Sequence, residues 1–170
     1  MRRHDITKLC IWTFKLPIVI TRFANIYGPG QLNFSALIPD AIRSALGYTN
    51  FYPRGNGKQI RDYIFIDDVV RAFLLCPQNK NKTNGKHFIL GSGKGFTVQE
   101  AISKVAEILN KKTKSKVGTK HVASPEDLLD IEFRNFVADN SSLKTAIDWS
   151  ADIDLEKGIE LTIENFIKHK

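Results

Sequence analysis

At 170 residues, 42% of them hydrophobic, the chain has the size for one domain with a sizeable core and not for two independent ones. Its net charge of +7 would suit nucleic acid, yet the charges are scattered, and the one dense basic run, Lys111-Lys112-Thr113-Lys114-Ser115-Lys116, reads as the solvated end of a helix whose dipole favours lysine there rather than as its alternative, a phosphate-binding patch. Cys10 and Cys76 give no disulfide framework, neither His87 nor His121 has a partner at metal-ligand spacing, and no apolar stretch approaches the length of a membrane span, so the expectation is a cytoplasmic protein with no metal, nucleic acid or membrane to bind.

In chain order, the β-branched run at Ile18, Val19 and Ile20 predicts a central parallel strand over 18–22. Asn25 ends that excursion, and the turn Gly28-Pro29-Gly30 follows, so polar groups and permissive backbone gather where a strand meets its loop. Ser35, Ala36 and Leu37 open a helix over 37–46, with Gly47 as its stop; the free amides of its first turn favour an anion, and Ser35 reads equally as a plain N-cap. Phe51 and Tyr52 form a short edge strand ended by Pro53, able to stack on a base or simply to pack. After the Gly55-Asn56-Gly57 turn comes Arg61, then a strand over 63–66, then a helix over 69–75 capped by Asp67 or Asp68 and broken by Pro77.

The stretch 77–85 reads as a mobile polar loop. A strand over 86–90 feeds the Gly91-Ser92-Gly93-Lys94-Gly95 cluster, and Thr97 with Glu100 makes a capping box opening a helix to about 109. A strand over 117–122 and an acidic loop over 124–132 precede Arg134. Asp139-Asn140-Ser141 starts a short helix, and Asp154 caps a last one with an apolar stripe at Leu155, Ile159, Ile163 and Phe166.

Arg61 carries the clearest chemical meaning. A planar, permanently charged guanidinium between a glycine turn and a strand suits the two phosphates of a nucleoside diphosphate; the plainer reading is a surface arginine paired with Asp62 or Asp67. Asn25 can bridge a phosphate oxygen and loop backbone, or satisfy its own turn. No glycine-rich turn from strand to helix, the cradle of a dinucleotide pyrophosphate, occurs in the sequence; the cluster at 91–95 lies in the wrong context.

Two such segments at this spacing, the first running from Pro17 through Tyr27-Gly28-Pro29-Gly30 and the second from Gly55 to Asp68, resemble the sugar-nucleotide-binding half of the extended short-chain dehydrogenase/reductases, the sugar-nucleotide epimerases and 4,6-dehydratases. Asn33-Phe34-Ser35 and Ile42-Arg43-Ser44 look most like the CDP-glucose 4,6-dehydratases, and the likeness runs from about Leu16 to the C-terminus. The resemblance implies an α/β fold, a partial Rossmann-like C-terminal half without the N-terminal dinucleotide-binding strands. Residues 1–16 would be a remnant or divergent N-terminus, and 17–170 the sugar-nucleotide-binding part of a single domain.

It also implies substrate contacts at Asn25, Ser35, Ala36, Leu37, Phe51, Tyr52, Arg61 and Arg134, with Phe23 beside a nicotinamide. Phe23 reads equally as core, and Arg134 equally as a partner of Glu132. Ile89 stands where the family carries a polar Asn, which removes one phosphate contact. No catalytic residue is assigned, because the family's Tyr-x-x-x-Lys pair is absent; His4-Asp5-Ile6-Thr7-Lys8 echoes it with His in place of Tyr. The implied activity is NAD-dependent dehydration of a nucleoside-diphosphate hexose, a reaction in which NAD oxidises C4, water leaves across C5–C6 and hydride returns to C6.

This chain is expected neither to hold NAD nor to turn over alone. Its expected partners are a CDP-, UDP- or dTDP-hexose and a separately encoded N-terminal half, in a family that typically forms homodimers. A truncated or split gene or a damaged reading frame is the expected origin, with an apolar edge left bare where the other half would dock. A 4-epimerase or GDP-mannose-type dehydratase fragment, and a non-catalytic sugar-nucleotide-binding module or split-enzyme subunit, are the alternatives.

Overall fold

The computed structural model describes residues 10–11, 13–48, 56–113 and 134–168. Short strands alternate with helices in a mixed α/β order: β1 (Ile20–Phe23), β2 (Asn25–Tyr27), α1 (Leu37–Ala45), β3 (Ile60–Phe65), α2 (Ile66–Gln78), α3 (Lys80–Thr83), β4 (His87–Leu90), β5 (Gly95–Thr97), α4 (Val98–Thr113), α5 (Ser141–Ile147) and α6 (Leu155–Lys168). β1 pairs in parallel with β4, Ile20 opposite His87 through Phe23 opposite Leu90. β2 pairs in parallel with β3, which pairs antiparallel with β5 on its other side.

Side-chain alternation along β3 divides the core into two layers. Tyr63 and Phe65 point with Tyr27 into a cluster closed by α1, α4 and α6, including Ile42, Ile102, Leu109 and Ile159. Ile64 points the other way, into a cluster with Val69, Phe88, Leu90, Leu143 and the fully buried Trp149. Ion pairs tie α4 to α6 on the surface, with Lys112 Nζ 2.7 Å from Glu164 and Lys104 3.7 Å from Glu156. Lys111 meets Glu107 at 2.7 Å, so the described part of the basic run is a solvated helix end.

Local signals read from the sequence hold where the chain supplies its own partners. Glu100 Oε2 accepts from the Thr97 amide at 2.7 Å while the Thr97 hydroxyl accepts from the Glu100 amide at 3.1 Å, the reciprocal capping box. Asp154 Oδ1 accepts from the Lys157 amide at 2.8 Å and caps α6, and Gly47, at φ +82°, ends α1. Leu155, Ile159 and Ile163 are buried as the stripe required.

Other expectations need correction. Asn25 does not end the first strand: the chain bends at Ala24, and Asn25 begins β2, which leaves β1 to pair with β3. β3 begins at Ile60, three residues earlier than expected, because β5 supplies a partner for Ile60–Asp62. Phe65, in extended conformation, is the N-cap of α2; Asp67 and Asp68 lie in its first turn. Pro77 sits inside α2 one residue before its end, close enough to the terminus to be tolerated.

The stretch after it is anchored, since the buried Thr83 hydroxyl donates to the Cys76 carbonyl at 2.8 Å. Helix α4 continues to Thr113, four residues past the expected end, its last turn tied to α6 through Lys112. The expected strands at 51–52 and 117–122, the loop at 124–132, His121 and the His4–Lys8 echo lie outside the described residues.

Candidate sugar-nucleotide site

In a parallel pair, residues opposite one another project to the same face. Asn25 is opposite Tyr63 and Tyr27 opposite Phe65, and Arg61, two residues before Tyr63, shares their side of the sheet. On β5 the partner of Arg61 is Phe96, which packs against the same layer. Asn25, Arg61 and Tyr63 therefore form one row, fixed by strand register. Asn25 Nδ2 donates to the Asp62 carbonyl at 3.1 Å, so its amide is locked to the strand that carries the arginine.

A strap of chain over 134–138 runs along β3 on the same stretch. The Ile60 amide donates to Asn135 Oδ1 at 2.8 Å, the Phe136 amide donates to the Ile60 carbonyl at 2.9 Å, and Arg61 Nη1 donates to the Arg134 carbonyl. Two residues far apart in sequence, Arg61 and Arg134, are thus brought together. A guanidinium oriented by backbone carbonyls, beside a second arginine on an exposed strap, is an arrangement that recognises a multiply charged anion such as a diphosphate.

Asp62 faces the other way and is fully buried. Its carboxylate accepts from the Ser92 amide at 2.8 Å, the Ser92 hydroxyl at 2.7 Å, the Gly93 amide at 3.0 Å and the Ala138 amide at 3.1 Å. It is therefore committed to backbone and hydroxyl donors across the loop and strap. The glycine cluster at 91–95 is an anion-binding nest whose anion belongs to the chain itself. A side chain at Gly91 would collide with that carboxylate and with Ala138. The cluster leads into β5 rather than directly into a helix, so it does not form the strand-to-helix glycine turn that cradles a dinucleotide pyrophosphate.

The remaining candidates are placed differently. Ser35 is not the N-cap of α1: its amide donates to Asn33 Oδ1 at 3.2 Å, which keeps it in a turn, and the extended Ala36 is the capping residue. The helix start at Ser35, Ala36 and Leu37 is placed through neighbouring Phe34, whose ring lies 4.2 Å from the Arg43 guanidinium carbon and 6.5 Å from the Phe166 ring. Pro39 in the first turn has no amide to offer, which thins the anion site expected there. The Phe23 ring lies 5.4 Å from the Phe73 ring at a tilt of 44° and packs against the Trp149 layer, away from the Arg61 row. Ile89 is half-buried in β4. Phe51, Tyr52 and Glu132 lie outside the described residues.

Sequence reasoning passed over two residues. Tyr63 is 4% exposed, and its hydroxyl meets no hydrogen-bond partner among the described residues. Burial pushes its pKa well up, so it remains a neutral donor in the middle of the row. Asp62 was visible only as a possible partner of Arg61, although a glycine cluster thirty residues on is the signal that some carboxylate must fill it.

A model of the family described as GDP-mannose 4,6-dehydratase matches residues 1–162. The dTDP-glucose 4,6-dehydratase of Haemophilus influenzae is 28% identical over 161 residues, which are 91% of this chain and 46% of that protein. Among solved structures, the UDP-glucose 4-epimerase of Thermotoga maritima with UDP-glucose superposes with a TM-score of 0.81 at 26% identity, covering 98% of this chain and 51% of the epimerase. The NAD complex of the Bacillus anthracis dTDP-glucose 4,6-dehydratase superposes with a TM-score of 0.76 at 24% identity, covering 96% of this chain and 49% of that one. The fold is thus Rossmann-like and partial, and the chain spans about half the length of the relatives it matches.

Proposed function

The chain belongs to the GDP-mannose 4,6-dehydratase family, and from that premise we propose that it is the sugar-nucleotide-binding part of a nucleoside-diphosphate-hexose 4,6-dehydratase. The observation that carries the proposal is the row of Asn25, Tyr63 and Arg61 on one face of β2–β3, with Arg134 strapped alongside. In this reading Arg61 and Arg134 hold the two phosphates, Asn25 and the Tyr63 hydroxyl add neutral donors, and the start of α1 with Phe51 and Tyr52 receives the base. CDP-glucose is the substrate we favour, from the Asn33-Phe34-Ser35 and Ile42-Arg43-Ser44 segments. The match to a UDP-glucose 4-epimerase favours a second reading, in which the same grip serves epimerisation.

NAD would supply the oxidation at C4 and the return of hydride to C6. The glycine loop at 91–93 is filled by Asp62, and Phe23 is the one contact with NAD proposed from this chain. What these residues do is hold and orient the nucleotide, so that binding energy far from the hexose serves chemistry at the sugar. Calorimetry on the 170-residue chain should show weak binding of CDP or UDP and none of NAD. Micromolar NAD binding, or equal affinity for CDP and for uncharged cytidine, would contradict the proposal.

A further inference from the structure

The strap that carries Arg134 and the glycine loop at 91–93 converge on the side chain of Asp62. Its two oxygens collect four donors: the Ser92 amide and hydroxyl on Oδ1, and the Gly93 and Ala138 amides on Oδ2. Its own carbonyl accepts from Asn25 Nδ2 at 3.1 Å. The residue is fully buried and points to the face opposite Arg61, so it is not placed to touch a ligand on the Arg61 face. We infer that Asp62 is the positioning residue of the diphosphate site: its carboxylate fixes the 134–138 strap, and with it Arg134, beside Arg61.

The inference rests on the function proposed above and assigns the glycine loop a role within it. The Ser92 and Gly93 amides, which would otherwise suit a phosphate, are filled by the internal carboxylate, so the loop serves the site through Asp62. The strap has other ties to β3: Asn135 and Phe136 meet Ile60 at the start of the strand, and the Arg134 carbonyl accepts from Arg61 Nη1. Among the described residues, the bond from the Ala138 amide to Asp62 ties the far end of the strap to the residue that follows Arg61. Asp62→Asn would set an amide donor against backbone donors and release that end.

The test is a double-mutant cycle read by CDP titration of the 170-residue chain. Arg134→Ala should weaken CDP binding by about tenfold in the wild-type background and by less than about twofold when Asp62→Asn is already present. Ser92→Ala removes one of the four donors with little threat to folding, and it should reduce the penalty of Arg134→Ala in the same sense. Losses that multiply independently in both cycles, or an Arg134→Ala variant that binds CDP as wild type does, would overturn the inference. Arg61→Ala reports separately on the underlying reading. If it binds CDP unchanged, the site itself is misplaced; if it loses CDP while the cycles show no coupling, only the role of Asp62 falls.

Discussion

Tyr63 sits opposite Asn25 and two residues from Arg61, with its ring in the core and its hydroxyl unpaired among the described residues. A buried hydroxyl without a partner costs about 1–3 kcal/mol, and a ligand oxygen arriving on that face would remove the cost. Tyr63→Phe deletes the hydroxyl alone. Thermal melts should show unchanged or slightly raised stability, and CDP titration should show weaker binding. A clear loss of stability would mean that the hydroxyl has a structural partner instead. Arg61 and Asn25 stand out in the sequence because each lies beside a glycine turn and a strand. The hydrogen bonds of Asp62 do not, because the donors at Ser92, Gly93 and Ala138 are brought near only by the folded chain.

Among the elements, α4 shows what local sequence can specify. Thr97→Ala removes one half of its capping box and should lower stability by about 1 kcal/mol in denaturant melts; no change would mean that packing of Ile102, Val105 and Leu109 alone sets the helix start. Hydrogen bonds from the Thr97 amide and hydroxyl hold the Glu100 carboxyl below its ordinary pKa. Its contribution is therefore present above the ordinary carboxylate pKa and lost as the pH falls through the lowered one.

Caps and helix stripes need only neighbours three or four residues away, which is why Thr97, Asp154 and Gly47 were readable. β2 and β5 have three residues each and exist because β3 lies between them. No pattern within Asn25-Ile26-Tyr27 or Gly95-Phe96-Thr97 announces a strand without that partner. Helix α2 passes Pro77 for the same kind of reason. The missing amide falls in its last turn, where the buried Thr83 ties the following chain back to the Cys76 carbonyl.

For the whole molecule, the parallel pair β1–β4 is the exposed flank. Among the described residues β1 is paired on one edge only, and parallel strands are ordinarily covered on both. A groove of about 290 Å³ lined by Pro17, Val19, Thr21, Phe73, Cys76 and their neighbours opens beside it. Phe73 and Leu74 on α2 are 53% and 60% exposed. The chain should accordingly bind a hydrophobic dye and elute larger than its 19.2 kDa mass. Co-expression with the N-terminal half of a related dehydratase should suppress both. A dye-silent, compact monomer with a sharp melt would show that the flank is closed without help.

The central claim is that the Arg61 row grips a nucleoside diphosphate. Its most direct measurement is the affinity of CDP and UDP for the wild-type chain, Arg61→Lys and Arg61→Ala, at one fixed ionic strength. Lysine keeps the charge but loses the planar fork, so Arg61→Lys should already bind about 1–3 kcal/mol more weakly, and Arg61→Ala at least as weakly. Wild-type affinity for both nucleotides in both variants would contradict the account.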